Sequence, residues 1–317
     1  MNFQQLRIIR ETVRCNYNLT EVANALFTSQ SGVSKHIKDL EDELGIELFV
    51  RKGKRLLGLT EPGGELLQIV ERMLLDAKNI KRLAEQFSNR DQGQLTVATT
   101  HTQARYALPK VVTQFKKEFP KVHLTLHQSS ADEIIAMLRD GEADIGIATD
   151  ALENKPDLAS FPYYCWRHAV IVPMHHPLVG THPLTLEAIC DYPIITYHPG
   201  YTGRATIDES FAKAGLIPDV VMSALDADVI KTYVELGLRL GLVASMAYNR
   251  NRDHGLALLD SAHLFAAKTT LIAVRRGHFL RGFAYRFIEL CAPALTEAIV
   301  RSGVAPSIGD NFDRETD

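Results

Sequence analysis

The stretch Ala25–Arg51, ALFTSQSGVSKHIKDLEDELGIELFVR, decides the fold of the first part of the chain. It follows a short segment with apolar residues at helical spacing, whose start is marked by Asn18 or Thr20. A second helix is predicted inside the stretch, because four apolar side chains share one helical face: Val33, Ile37, Leu40 and Leu44. Gly45 suits the left-handed position that ends a helix. The pattern therefore predicts two short helices separated by a tight corner.

A basic hairpin is predicted after the second helix. The segment LFVRKGKRLLGLT, residues 48–60, predicts two short strands joined at Lys52-Gly53-Lys54. Residues 1–60 then form a winged helix-turn-helix, with the second helix in the DNA major groove and the hairpin over the phosphate backbone. The predicted DNA contacts are Ser29, Gln30, Ser31, Ser34, Lys35, Lys38, Arg51, Lys52, Lys54 and Arg55. The alternative is a small trihelical domain whose charged loop is only solvated.

Residues 61–90 have the apolar spacing of a coiled coil. Seven residues alternate spacings of four and three: Leu66, Val70, Met73, Ala77, Ile80, Ala84 and Phe87. We predict a linker helix that pairs two chains through this seam and ends in the polar segment 88–93. The alternative is an amphipathic helix that packs on its own domain, and the two alanines make the seam thin.

From Gly93 onward, short β-rich runs alternate with amphipathic helices. This alternation predicts an α/β fold of βα units on largely parallel sheets. A second block begins near Tyr163, and the run TTLIAVRR at residues 269–276 marks a return to the first block. The predicted effector-binding domain resembles the two-lobe periplasmic solute-binding proteins. Lobe I comprises residues 93–162 and 268–295, lobe II comprises residues 163–267, and residues 296–317 form a polar tail.

Threonines occur where predicted strands give way to helices. Thr100 ends the first strand of lobe I, Thr102 and Gln103 open the next helix, and Thr149 ends another strand. Thr202 opens a helix in lobe II. Helix capping explains each threonine separately. Their convergence from both lobes instead favours an oxyanion site made of hydroxyls and helix N-termini.

Composition and motifs exclude several classes of protein. The 317 residues are 46% hydrophobic and 23% charged with a net charge of −3, which is typical of a globular protein. Residues 1–90 carry 14 Lys/Arg against 12 Asp/Glu, too small an excess to identify a nucleic-acid binder alone. The sequence contains no G-x-S-x-G, no phosphate-binding glycine loop and no paired catalytic carboxylates, so no enzyme activity and no catalytic residue is predicted.

Metal sites, disulfides and membrane segments are also not predicted. Four cysteines lie far apart, and His175, His176 and His182 flank prolines in a loop, so we predict neither a metal nor a disulfide framework. No run of eighteen apolar residues occurs, and charges interrupt the first residues where a signal peptide would need an apolar core. We therefore predict a cytoplasmic protein without membrane contact.

The ordered pattern within Ala25–Arg51, followed by Thr60 and Gly63, resembles the DNA-binding module of LysR-type transcriptional regulators. Ser31 departs from this pattern, because many members have proline there. Further along, ATTHTQARYALP, Trp166, YTGR and DADVIKTYVELG resemble the CysB/Cbl subfamily, which regulates sulfur assimilation and cysteine biosynthesis. The resemblance extends to about Leu295.

The resemblance implies partners and an effector. It implies a homodimer, and further a homotetramer, that binds double-stranded promoter DNA and acts with RNA polymerase mainly as an activator. No cofactor is implied. A sulfate-like anion or acetylserine would occupy the cleft, at positions that match Thr100, Thr102, Gln103, Thr149, Trp166 and Thr202. By composition alone, Trp166 is instead a core aromatic between the lobes.

Two further hypotheses stay open. WRHAVIVP and ARYALPKV favour a CysB-like regulator, whereas NLTEVANALFTSQSGVS favours a Cbl-like regulator of sulfonate and sulfate-starvation genes that senses adenosine phosphosulfate. Arg239 in GLRLG departs from the small or apolar residue that the family tends to have between these glycines. The hypothesis from a different class is a two-lobe anion-binding protein, solute-binding or enzymatic, whose first helices serve only for oligomerisation.

Overall fold

The structure is a computed structural model that describes residues 1–53, 55–88, 92–149, 151–201 and 203–305. Two of the predicted site residues, Lys54 and Thr202, lie outside the described residues. The chain divides into two compact units between Ala84 and Glu85. In chain order the first elements are α1 Phe3–Arg14, α2 Leu19–Ala25, α3 Gln30–Leu44, β1 Phe49–Lys52, β2 Arg55–Leu59 and α4 Glu61–Ser88.

The first unit has the predicted winged helix-turn-helix fold. Asn18 caps α2 by accepting hydrogen bonds from the N–H groups of Thr20 and Glu21 at 3.1 and 3.4 Å. The Ser29 hydroxyl caps α3 by accepting from the Gly32 N–H at 3.1 Å, and α3 ends at Gly45 with φ 70°. Strands β1 and β2 pair as an antiparallel hairpin. One apolar core joins the helices and the hairpin: Ile8, Ile9, Val22, Ala23, Val33, Ile37, Leu40, Leu48, Phe49 and Leu56.

The apolar seam of α4 is used unevenly. Val70 is 1% exposed and packs with Leu6 and Leu74, and Leu66 and Met73 pack against the same cluster. Ile80 and Phe87 are 68% and 73% exposed. The first half of the predicted pairing seam is therefore buried against its own chain. Periodicity alone does not distinguish packing within one chain from pairing between two chains. The second half stays a prediction for a contact with another chain.

The second unit contains two lobes. Lobe I is built from β3 Gly93–Thr99, α5 Pro109–Glu118, β4 Val122–Gln128, α6 Ala131–Asp140, β5 Ile145–Thr149 and β6 Leu158–Trp166, with the later β12 Lys268–Arg275, α10 Gly282–Cys291 and α11 Glu297–Val304. Lobe II is built from β7 His168–Pro173, α7 Leu186–Cys190, β8 Ile194–Tyr197, α8 Arg204–Lys213, β9 Val220–Ala224, α9 Ala227–Glu235, β10 Leu240–Ala244 and β11 Leu256–Leu259. Two short turns, Gln103–Ala107 (π-helical) and Ser245–Ala247, complete the elements.

Each lobe has a five-stranded sheet, with strand order β4-β3-β5-β12-β6 in lobe I and β11-β7-β10-β8-β9 in lobe II. The expectation of largely parallel sheets is only partly correct. Strand β3 is parallel to β4 and β5, but β12 runs antiparallel to β5 and β6. Strand β7 is likewise antiparallel to its neighbours. The reason is that the chain crosses directly between the lobes through β6 and β7 and returns along β12, without a crossover helix.

Two predicted boundaries are corrected by these elements. Strand β6 continues to Trp166 and β7 starts at His168, so the chain leaves lobe I at Arg167 rather than at Tyr163. Residues after 295 are not simply a polar tail, because Val300 and Val304 of α11 are buried in the core of lobe I. A Cβ on Gly303 would lie 2.7 Å from the Phe161 ring, so α11 packs closely on β6. Within the residues that the structure describes, no helix is long and apolar enough to cross a membrane.

Candidate functional site

The exposed face of α3 carries the side chains that were predicted to contact DNA. Ser29 at its start and Gln30, Ser31, Ser34, Lys35 and Lys38 along it are all exposed. Buried residues such as Val33 and Ile37 hold the opposite face against the core. Hydroxyl, amide and ammonium groups on one helix face can bond base edges and phosphates. Lys52 and Arg55 are exposed on the hairpin, where they suit contacts to the backbone of DNA.

Arg51 has an additional structural contact. Its Nη2 donates to Oε2 of Glu41 at 2.6 Å. The other carboxylate oxygen of Glu41 accepts from the N–H groups of Leu48 and Phe49 at 2.9 and 3.3 Å. Glu41 is only 9% exposed, so it ties α3 to β1 from inside the unit. Sequence reasoning did not assign this role to Glu41.

A cavity of about 220 Å³ lies between the two lobes. Lobe I contributes the ends of β3 and β5, the start of α6 and the start of β12, and lobe II contributes the loop before α8 and its first turn. The lining residues are Thr100, Ser130, Ala131, Ala148, Thr149, Ala151, Gly200, Tyr201, Gly203, Arg204, Ala205, Thr206 and Lys268. The prediction of a cleft at strand ends is therefore matched by a cavity at that place.

The charge of this cavity favours an anion. Lys268 and Arg204 line it, and no Asp or Glu does so among the described residues. Two helix N-termini, those of α6 and α8, also border it, and such ends carry a partial positive charge. No side chain caps α8 within the described residues, because its N-cap is Gly203. The Arg204 guanidinium is held by the Tyr197 carbonyl at 2.6 Å and Asp208 at 2.7 Å.

Gly203 fits this position for two reasons. Its φ of 67° lies in the left-handed region, and a Cβ there would come within 3.0 Å of the His168 ring and 3.6 Å of Cη2 of Trp166. A side chain at residue 203 would therefore be both strained and crowded. The glycine allows the first turn of α8 to approach the cavity closely.

Two of the predicted anion contacts, Thr100 and Thr149, line the cavity. Both are partly exposed, and neither side chain makes a hydrogen bond to another residue that the structure describes. The neighbouring Thr99 differs, because it is fully buried and its hydroxyl donates to the Ile147 carbonyl at 3.0 Å. Ser130 differs as well, since it forms a capping box with Glu133 on α6. Capping therefore explains Ser130 but not Thr100 or Thr149.

Two other predicted contacts, Thr102 and Gln103, lie behind the cavity wall. Thr102 is fully buried, and it lies beside the buried hydroxyl of Tyr197 in lobe II. Gln103 is 1% exposed; its amide oxygen accepts from the Tyr164 hydroxyl, and its nitrogen donates to Thr270 Oγ1 at 3.3 Å. Their role as direct ligands stays a prediction, and in this arrangement both side chains support the cavity from behind.

The remaining predicted contact within the described residues is Trp166. It is 5% exposed at the end of β6, with its Cη2 directed toward Gly203. Its indole N–H is buried without a hydrogen-bond partner among the described residues. The indole also borders a second, larger cavity of about 670 Å³ on the lobe II side. A buried N–H without a partner is costly, which suits a donor that serves a ligand.

Five lining residues with polar groups were not predicted from the sequence: Ser130, Tyr201, Arg204, Thr206 and Lys268. Arg204 belongs to the quoted YTGR segment, and its position just after a predicted strand could have indicated that it lines the cleft. Lys268 lies 168 residues after Thr100 and joins it only because β12 returns to lobe I. No local spacing connects such distant residues.

One group of possible metal ligands occurs within the described residues: His101, Asp226 and Asp228, whose ligand atoms lie within 4.8 Å of one another. Asp228 already contacts Arg105 and Lys231 at 3.2 and 3.3 Å. These cations already neutralise the carboxylate charge that a metal ion would need. The arrangement therefore favours an ion-pair cluster. His175, His176 and His182 are not part of this group.

A winged helix-turn-helix unit followed by a two-lobe α/β unit with a cleft between its lobes is the architecture of a DNA-binding regulator. Residues 3–64 match the bacterial regulatory helix-turn-helix protein family, lysR family, and residues 88–296 match the LysR substrate binding domain. The chain belongs to the LysR family of transcriptional regulators.

Relatives of known name agree with this assignment. The chain is 62% identical to the HTH-type transcriptional regulator SsuR of Burkholderia cenocepacia, covering 94% of this chain and 97% of SsuR. It is 54% identical to the regulator cbl of Escherichia coli K12, covering 99% of each chain, and 48% identical to CysB of B. cenocepacia, covering 96% and 97%. These relatives are transcriptional regulators, consistent with the prediction that the chain is not an enzyme.

A solved structure of the cofactor-binding domain of the Cbl transcriptional regulator is similar to the second unit. It has a TM-score of 0.65 and 48% sequence identity, and covers 68% of this chain and 95% of that domain. The predicted fold class, a winged helix-turn-helix with a two-lobe α/β effector-binding domain, is confirmed.

Proposed function

We propose that this LysR-type regulator controls genes of sulfur assimilation, mainly as an activator, in response to a small sulfur-containing anion bound between its lobes. The observation that carries the proposal is the cavity itself. It combines two hydroxyls, Thr100 and Thr149, with the cations of Arg204 and Lys268 and two helix N-termini. Such a set of donors and positive charges stabilises an oxyanion after it has lost its hydration.

The size of the cavity supports a small effector. Its volume of about 220 Å³ is below the range of roughly 300–1,000 Å³ that is common for pockets of drug-sized ligands. Sulfate, thiosulfate and acetylserine are therefore better matched to this arrangement than adenosine phosphosulfate, which would need the lobes to separate.

The identities of the relatives support the Cbl-like alternative for the controlled genes. The chain is more similar to SsuR and cbl, at 62% and 54%, than to CysB, at 48%. This second candidate is a regulator of sulfonate and sulfate-starvation genes. The two candidates share the same site and differ in the effector and the promoters.

We further propose that the chain acts as a homodimer or homotetramer and works with RNA polymerase. The exposed apolar side chains of Ile80 and Phe87 on α4 support pairing between chains, since exposed large apolar groups at coiled-coil spacing are typical of such contacts. Two heads would then bind two half-sites and double the phosphate contacts.

The experiment uses the full chain and two labelled duplexes, one from a cysteine-biosynthesis promoter and one from a sulfonate-utilisation promoter. Fluorescence anisotropy measures the affinity with and without sulfate, thiosulfate, acetylserine or adenosine phosphosulfate. We expect at least one of these compounds to change the affinity for one of the two promoters. The proposal is contradicted if the affinity for both promoters is no higher than for a scrambled duplex and none of the four compounds changes it.

A further inference from the structure

The π-helical turn Gln103–Ala107 links the cavity to lobe II. It starts three residues after Thr100, which lines the cavity, and leads into α5. Turns of this kind are rare and occur preferentially at functional sites. The side chain just before the turn, Thr102, already reaches the Tyr197 hydroxyl of lobe II. The short segment from Thr100 to this turn therefore contacts both the proposed ligand site and the opposite lobe.

Tyr106, within this turn, is anchored in lobe II. Its ring packs against the apolar core of lobe II, although the residue belongs to lobe I. Its hydroxyl donates to Oδ1 of Asp228, at the start of α9, with a distance of 2.8 Å. Burial raises the pKa of Tyr106, and the hydrogen bond to Asp228 raises it further, so the hydroxyl keeps its proton. A hydrogen bond to a partly buried carboxylate is among the stronger ones.

Asp228 also contacts two basic side chains next to Tyr106. Lys231 lies 3.3 Å from its carboxylate and 5.4 Å from the centre of the Tyr106 ring, and it is only 12% exposed. Burial opposes ionisation of Asp228, but the Tyr106 hydrogen bond and Lys231 outweigh it and lower the pKa of this carboxyl. Arg105 is also 3.2 Å away but 52% exposed, so water screens its contribution.

We propose that Tyr106 and Asp228 form an interlobe latch that sets the affinity of the cavity for its anion without touching the ligand. Neither residue lines the cavity. The proposal rests on the proposed function, namely that this cavity binds an anion. Thr100 of lobe I and Arg204 of lobe II face one cavity only while the lobes keep their present separation. A contact that favours this separation raises the fraction of molecules ready to bind, and the apparent affinity rises in proportion.

The test is a double-mutant cycle on the full-length protein. Binding of thiosulfate is measured by calorimetry for the wild type, Tyr106→Phe, Asp228→Ala and the double variant. We expect each single change to weaken binding about threefold to tenfold, which corresponds to the net contribution of a typical hydrogen bond at a partly exposed site. The double variant should bind nearly as well as the weaker single variant, because both changes remove the same contact.

Matched controls separate the latch from general loosening. Tyr248→Phe removes a tyrosine hydroxyl bond to the Leu256 carbonyl that stays within lobe II. Asp157→Ala breaks an ion pair with Arg139 inside lobe I. The Asp157 side chain is 36% exposed, the same as that of Asp228. Both controls should leave thiosulfate affinity within about twofold of the wild type, since neither joins the lobes. Unchanged affinity in both Tyr106→Phe and Asp228→Ala, or effects that simply multiply in the double variant, would overturn the latch.

A second measurement separates failure of the latch from failure of the proposed function. If the wild type binds none of thiosulfate, sulfate and acetylserine, the proposed function fails and the latch is judged without ligand. Hydrogen exchange of residues 101–108 should then be faster in Tyr106→Phe than in Tyr248→Phe, because the latch holds this segment closed. Equal exchange in the two variants would overturn the latch.

Discussion

The Arg51 guanidinium lies 2.6 Å from the Glu41 carboxylate and joins the proposed DNA-reading helix α3 to the first strand of the hairpin. Glu41 also accepts hydrogen bonds from two backbone N–H groups, those of Leu48, just before β1, and of Phe49, its first residue. One nearly buried carboxylate therefore satisfies three donors. Arg51, predicted as a DNA contact, also holds the hairpin in place, so its substitution changes more than one property.

Replacing Glu41 should destabilise the first unit. Glu41→Ala leaves two buried N–H groups without an acceptor, and we expect a loss of about 2–4 kcal/mol in the free energy of unfolding. Glu41→Gln keeps an acceptor oxygen and should lose less than half of that amount. Urea unfolding followed by circular dichroism gives both values. An equal loss in the two variants would contradict the role of the acceptor oxygen.

Lys35 should contribute a phosphate or base contact. Lys35→Ala removes one exposed positive charge from α3, so DNA affinity should fall, and the slope of log affinity against log salt should decrease by about 1 if the contact is to a phosphate. Lys110→Ala removes another exposed lysine, from α5 in the second unit, and serves as the control. Anisotropy titrations at several salt concentrations measure both. Identical slopes for the Lys35 and Lys110 variants would argue against α3 as the contact surface.

Thr149 should bind the anion through its hydroxyl. We expect Thr149→Ala to lose about 1.5–3 kcal/mol of binding free energy, which is roughly tenfold to a hundredfold in affinity. Thr149→Ser retains the hydroxyl and should recover most of the affinity. Thr113→Ala on α5, whose hydroxyl donates to the Pro109 carbonyl, is the control outside the cavity. Calorimetric titration with thiosulfate compares the three variants, and an alanine variant that binds like the wild type would remove Thr149 from the site.

Gly203 and Gly200 allow strain and crowding to be separated. Both have a positive φ, 67° and 87°, so alanine at either should cost about 1–2 kcal/mol of stability. Only at Gly203 would the new Cβ meet the His168 ring, whereas nothing lies within 4 Å at Gly200. Anion affinity should therefore fall more in Gly203→Ala than in Gly200→Ala. Thermal unfolding and anion titration together test this, and equal affinities would show that the approach of α8 is not limited by crowding.

The sequence predicts the first unit well because its determinants are local. The cap at Ser29, the apolar face through Val33 and Ile37 and the stop at Gly45 all act within one helix and its ends. The contacts of the apolar seam of α4 could not be predicted in the same way. The spacing of Val70 and Ile80 predicts an apolar partner but does not say whether that partner belongs to the same chain, and the structure buries Val70 within its own chain while Ile80 stays exposed.

The site in the cleft could be predicted only in part. Thr100 and Thr149 were found because each ends a β-rich run, and the ends of neighbouring strands lie at one edge of a sheet. Lys268 was not found, because its place depends on the return of β12 to lobe I. The direction of a side chain is also not a property of local spacing, and for this reason Thr102, predicted with Thr100, lies buried against Tyr197.

The most direct test of a sulfur anion in the cleft uses the single tryptophan, Trp166, whose ring lies beside Gly203 at the cavity. Its fluorescence is titrated with sulfate, thiosulfate, acetylserine and adenosine phosphosulfate in the wild type and in Thr100→Ala, with calorimetry on the same samples. We predict a saturable response to a small sulfur anion that is weakened at least tenfold by the substitution. The absence of saturable fluorescence and of binding heat for all four compounds would contradict the account.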